Sequence, residues 1–329
     1  MPKETATLHG HDRTALEVRH AMMNKFRGPQ DGNFILVSNS LKTMVQNARI
    51  GQRRTPEQNA ILDYMAPYAK AICHKKGIKT EKHFDESSGE WLKRSNEYQR
   101  WQDFEGGLLW CSGVAGAGKT VLADIISDDL NARYAGDVGI QVITIFFDHA
   151  RTYSSQQYLA SLWKQLAMRP LFDLDELDSL NRRYVEEEIT PDETEWKEML
   201  LREVRKYSRV FLIADALDES TIDDPLQFVE ELVGLLPVAN ILITTRPDLR
   251  IDDAKIVGKI ATIEIRAHKE DLLKYVNKRV SESRKLLSLF CQKPQLEDQI
   301  KQQVLKNSQG MSVFTCFFYY SVGLSTTIH

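Results

Sequence analysis

Residues 113–120 read GVAGAGKT and satisfy the G-x-x-x-x-G-K-S/T pattern at every fixed position, and this octapeptide limits what the chain can fold into more than any other feature. An apolar run, LLW at 108–110, precedes it, and a helix-compatible stretch, VLADIISDDL, follows. A polyphosphate needs several backbone N–H donors at once, and only small residues let the chain curl closely enough to supply them. Gly113, Gly116 and Gly118 provide that freedom, Val114, Ala115 and Ala117 complete the loop, and Val121 carries it into the helix. The helix N-terminus points unsatisfied N–H groups at the same phosphates. Lys119 is expected to reach the β- and γ-phosphate oxygens, and Thr120 to offer its hydroxyl to Mg²⁺.

Beyond about residue 106, short apolar runs alternate with longer amphipathic segments, the pattern of a parallel sheet flanked by helices. Strands are expected at 108–111, 141–147, 210–214, 241–245 and 260–265, each almost continuously apolar because helices cover both faces. Helices are expected at 119–134, 156–168, 192–206, 226–236 and 269–285, with Ser155 capping the second and Pro191 in the first turn of the third.

Two of these strands end in residues suited to phosphate chemistry. The stretch VFLIADALDE at 210–219 places Asp215 at a strand end, where it can hold Mg²⁺ directly or through water. Asp218 and Glu219 follow within one turn, and either can orient or deprotonate an attacking water. The stretch ILITTRPD at 241–248 ends a strand in two threonines and Arg246, which can sense a γ-phosphate from an adjacent strand end. Thr245 to Asp248 also imitates a guanine-selecting T-K-x-D element. Arginine stands at its lysine position, and a guanidinium fork does not replace a point charge on an aliphatic stem. Adenine and guanine both stay open.

The rest of the composition narrows the partners. Lys and Arg total 43 against 46 Asp and Glu, so no overall field draws the chain to nucleic acid, which is not expected as a partner. The three arginines at 49, 53 and 54 read as a solvated face. Cys73, Cys111, Cys291 and Cys316 lack the two-residue spacing of zinc or redox sites and read as reduced cytosolic thiols. The eight histidines form no ligand set in sequence, and the five tryptophans fall on core-like stretches. The first 25 residues lack the apolar core of a signal peptide, and no apolar run reaches the ~20 residues of a membrane span. A cytoplasmic protein without stable membrane insertion is expected.

GVAGAGKT, FLIADALDE and ILITTRP, in this order and spacing, resemble the NACHT class of STAND NTPases, above all the nephrocystin-like N-terminal domain of fungal multidomain proteins. The lead-in GEWLKRSNEYQRW at 89–101 is similar to that family's Gly-x-Trp-Leu segment. Residues 146–166 look like its second strand and helix, and 263–280 like a strand leading into an Asp-containing helix. The resemblance implies a three-layer α/β P-loop NTPase of ASCE/STAND type with a mostly parallel central sheet, preceded by a small mainly helical region. It divides the chain into a partly flexible, partly helical region at 1–80, an NTPase domain at 81–314 and an atypical aromatic tail at 315–329.

By the same resemblance Lys119 and Thr120 are the P-loop pair, Asp215 is the magnesium acid, Asp218 and Glu219 are the additional acids, and Arg246 is sensor-like. Glu219 is the preferred hydrolytic base. The implied function is an ATP- or GTP-binding signalling switch with slow Mg²⁺-dependent hydrolysis that forms homo-oligomers through the NTPase domain. A non-hydrolytic nucleotide-binding interaction module is the alternative. Relatives carry Gly-Met-Phe-Leu-Trp where this chain reads GMSVF at 310–314, so a truncated member or an altered reading frame is expected.

Overall fold

The computed structural model describes residues 54–73, 89–235, 239–250, 260–266, 268–282, 284–292 and 294–307. The chain divides into two units, Met1–Glu57 and Gln58–His329, and only residues 54–57 of the first are described. The expected boundaries at 80/81 and 314/315, the GMSVF stretch, the aromatic tail and most of the basic cluster lie outside the described residues.

All five expected strands form: β1 (Gly107–Ser112), β2 (Ile140–Phe146), β3 (Arg209–Asp215), β4 (Ala239–Thr245) and β5 (Ile260–Glu264). They pair in parallel in the order β2-β3-β4-β1-β5, so every strand's C-terminal end lies along one edge of the sheet. The helices are α1 (Pro56–Met65), α2 (Ala69–Cys73), α3 (Glu90–Lys93), α4 (Asn96–Asp103), α5 (Lys119–Arg133), α6 (Ser155–Ala167), α7 (Asp175–Leu180), α8 (Glu193–Val204), α9 (Pro225–Leu235), α10 (Lys269–Glu282), α11 (Arg284–Gln292) and α12 (Pro294–Asn307). A π-helical turn at Asn181–Val185 extends α7.

Because alternate strand residues point to opposite faces, two separate cores arise, which is why the strands read as continuous apolar runs. Leu108, Trp110, Leu212 and Ile243 pack on one face with α1, α2, α6 and α8, through residues such as Leu62, Ile72, Trp163 and Trp196. Leu109, Phe211, Ile213 and Leu242 pack on the other with α3, α4 and α5, through Leu92, Tyr98, Trp101 and Ile126. Helices thus sandwich the sheet, giving the three-layer α/β architecture that the motifs imply. Four of the five tryptophans are buried, and Trp91 is half-buried and stacked on His268.

Pro67 separates α1 from α2, since proline removes a helical N–H and clashes with the preceding turn. Both pieces contribute to the first core, and Lys164 of α6 reaches back to Asp63 Oδ1 at 2.8 Å and the Ala66 carbonyl at 3.0 Å. Two capping expectations shift by one residue. Ser154, not Ser155, caps α6 in a full capping box with Gln157, which frees the Ser155 hydroxyl to donate to Glu193. Asp192 caps α8, again with a box partner, Glu195, which leaves Pro191 outside the helix.

Candidate functional site

The loop after β1 is shaped by contacts its residue types demand. Gly116 and Gly118 sit in the left-handed region at φ 74° and 97°, where a Cβ is disfavoured. Gly113 is needed for another reason: a Cβ there would lie 2.7 Å from the Ile265 carbonyl oxygen and 3.1 Å from the Ile265 Cβ. Its N–H donates to the Thr245 carbonyl at 3.0 Å, so the loop leaves the sheet still registered on β4. Val114, Ala115 and Gly116 form an exposed tip, Ala117 is buried beneath it, and Thr120 and Val121 are half-buried in the first turn of α5.

Lys119, 9% exposed, bends back so that Nζ donates to the carbonyls of Gly113 at 2.7 Å and Val114 at 3.1 Å. Burial lowers its pKa below the ordinary lysine value. The charge of Asp218 opposes that shift most strongly, Arg246 reinforces it, and Asp215 and Glu219 oppose it more weakly. Asp215, Asp218, Glu219 and Arg246 thus all bear on the charge of the Lys119 ammonium.

The topology explains this convergence. β4 lies between β1 and β3, so Arg246 follows the strand next to the loop, while Asp215 ends the strand one further along. Asp215 is fully buried, and its Oδ1 accepts from the Thr244 hydroxyl at 2.6 Å. The same hydroxyl accepts from the Ala216 N–H at 2.9 Å. Ala216 is held left-handed, at φ 60° and ψ 50°, a conformation that non-glycine residues reach only with strain of ~1–2 kcal/mol. That reversal starts the 3₁₀ turn Leu217–Glu219, on which Asp218 and Glu219 point to different partners. Asp218 accepts from the Arg246 backbone N–H at 3.0 Å through one oxygen and pairs with Arg246 Nε at 3.0 Å through the other. Glu219 Oε2 lies 3.3 Å from His149 Nδ1.

Three of these residues were not given roles by sequence. Thr244 is part of an expected strand, and only the pairing of β3 with β4 turns its hydroxyl toward Asp215. Asp148 and His149 follow β2, whose end is tied to β3 by the Phe147 N–H donating to the Asp215 carbonyl at 3.0 Å. Ligand atoms of Asp148, His149 and Glu219 come within 4.8 Å of one another, so the fold assembles a metal-capable group that the sequence left scattered. The only available signal was their position just past a strand end.

A carboxylate and a hydroxyl, the donors that Asp215 and Thr120 would offer, have the hard-ligand chemistry that Mg²⁺ prefers. Cys73 and Cys111 are free thiols held above the ordinary value by burial, Cys111 to about 12, so neither is poised as a nucleophile. Among the described residues no helix is long and apolar enough to cross a membrane.

Residues 87–246 match the family model described as Nephrocystin 3, N-terminal, in agreement with the resemblance carried by the motifs. No curated protein matches the chain. Among solved structures, the ORC1 protein of Aeropyrum pernix in complex with DNA is 14% identical with a TM-score of 0.37, over 70% of this chain and 51% of that one. Drosophila ORC bound to DNA is 16% identical with a TM-score of 0.38, over 82% and 65%. C. elegans PCH-2 is 13% identical with a TM-score of 0.33, over 84% and 65%. The chain thus spans about half the length of the ORC1 chain. Overlaps this loose leave the sheet order itself as the ground for the fold assignment.

Proposed function

We propose that this protein, whose residues 87–246 match the nephrocystin 3 N-terminal family, is a nucleoside-triphosphate-binding signalling switch of the NACHT/STAND type with slow Mg²⁺-dependent hydrolysis. One observation carries this reading: β4 lies between β1 and β3, so the Lys119 loop, Arg246 and the Asp215–Glu219 turn follow three neighbouring strand ends at one edge of the sheet, where Arg246 pairs with Asp218. In this reading the loop amides from Val114 to Thr120 grip the phosphates, and Lys119 exchanges the Gly113 and Val114 carbonyls for phosphate oxygens. Thr120 and Asp215 would hold Mg²⁺, which would offset the charge of the phosphate oxygens. Thr244 fixes the rotamer of Asp215 for that task. Glu219 takes the proton of the attacking water, and Arg246 contacts the γ-phosphate. Assembly into homo-oligomers in a cytoplasmic setting belongs to the same proposal, and no nucleic-acid partner is part of it.

One observation favours the non-hydrolytic alternative: both candidate bases are engaged, Asp218 by Arg246 and Glu219 by His149. Titration of the full chain with Mg-ATP and Mg-GTP, read by calorimetry and phosphate release, separates the two. Lys119→Ala is expected to weaken binding at least tenfold, and Glu219→Ala to keep binding but lose turnover. A wild-type protein that binds nucleotide yet turns over no faster than Glu219→Ala is an interaction module instead.

A further inference from the structure

Both cations of the site are engaged within the protein. Lys119 rests on two loop carbonyls, and Arg246 rests on Asp218. The second contact is two-pronged: the backbone N–H and Nε of Arg246 each meet a different oxygen of Asp218, both at 3.0 Å. Asp218 is 13% exposed and anchored on a 3₁₀ turn, whereas the arginine side chain is 47% exposed. The carboxylate is therefore the fixed member of the pair and the guanidinium the movable one.

Resting on the nucleotide-switch reading, we propose that Asp218 competes with the γ-phosphate for Arg246, so that this ion pair sets how well the site tells a triphosphate from a diphosphate. A carboxylate and a terminal phosphate present the guanidinium with the same kind of acceptor, two charged oxygens spaced for a planar fork. A diphosphate ends short of the strand-end arginine and leaves the Arg246–Asp218 pair intact. A triphosphate draws the guanidinium across and releases one oxygen of Asp218, while the backbone N–H still holds the other. The exchange sets the triphosphate preference lower than a free arginine would. Because the pair is partly exposed, the effect is modest, about two- to fivefold, and shrinks as salt rises.

The test measures dissociation constants of the full chain for Mg-ADP and the β,γ-imido analogue of Mg-ATP, and for the guanine pair, at low ionic strength. Asp218→Asn is expected to raise the triphosphate-to-diphosphate affinity ratio about two- to fivefold. Arg246→Ala should lower the ratio, and the double variant should match Arg246→Ala alone. An unchanged or lowered ratio in Asp218→Asn overturns the proposal. So does a gain that survives in the double variant, because it then comes from removing repulsion between Asp218 and phosphate rather than from releasing Arg246. Circular dichroism melts verify folding, and Asp218→Ser takes the place of an Asp218→Asn chain that fails to fold. Wild-type protein that binds neither nucleotide overturns the proposal together with the switch reading, and that failure is visible before any variant is made.

Discussion

At the scale of single residues, Thr244 shows how one hydroxyl governs a charged site. It donates to Asp215 and accepts from Ala216, so it aligns the carboxylate and holds the backbone reversal that aims Asp218 and Glu219. Valine has nearly the same shape but leaves a buried carboxylate oxygen and a buried N–H without their partner. Thr244→Val is therefore expected to destabilise the protein by about 2–3 kcal/mol, whereas Thr244→Ser stays within about 1 kcal/mol of wild type. Equilibrium urea unfolding of the two variants measures the difference, and equal stabilities would remove the clamp. The chemical types at the site were legible in sequence: Lys119, Thr120 and Asp215 stand where their local patterns put them. Their neighbours were not, because a hydrogen bond from Thr244 to Asp215, or between His149 and Glu219, joins residues carried by different strands or by the turns that follow them.

At the scale of elements, the strands and main helices were legible because each is encoded by its own run of residues. Helix ends were less so. Adjacent serines at 154 and 155 both satisfy the cap preference, and the capping box with Gln157 selects Ser154. The last turn of α8 carries a testable liability. Glu203 is fully buried there, beside the negative end of the helix, with Lys206 2.6 Å from one oxygen. Burial raises its carboxyl pKa above the ordinary value, with Lys206 pulling the other way. A raised folded pKa means that the native chain takes up the proton before the unfolded chain as pH falls. Wild type therefore gains stability through the window between the raised value and the unfolded one, and carries the penalty above it. Glu203→Gln imitates the protonated form. It is expected to be more stable than wild type by about 0.5–1 kcal/mol near pH 7.5, with the margin closing near pH 4.5. Thermal melts at the two pH values measure this, and a margin that widens on acidification contradicts it.

At the scale of the whole molecule, ligand binding and folding are linked by mass action, since a site assembled from three strand ends exists only in the folded sheet. Mg-nucleotide at about 100 times its dissociation constant is expected to stabilise the protein by ~2.7 kcal/mol, with most of that gain lost when EDTA removes the metal. Differential scanning fluorimetry with and without chelator measures it, and a melting point indifferent to Mg-nucleotide argues against the site. The amino-acid sequence by itself determined the strand-loop-helix at 107–133, the buried character of each strand and the acid and arginine that follow two of them, because these are local patterns of residue type and spacing. Only the tertiary structure decided that β4 lies between β1 and β3, that Arg246 meets Asp218 and that His149 meets Glu219. Those pairings depend on which strand lies beside which, and that order is settled by hydrogen bonds and packing between segments far apart in the chain.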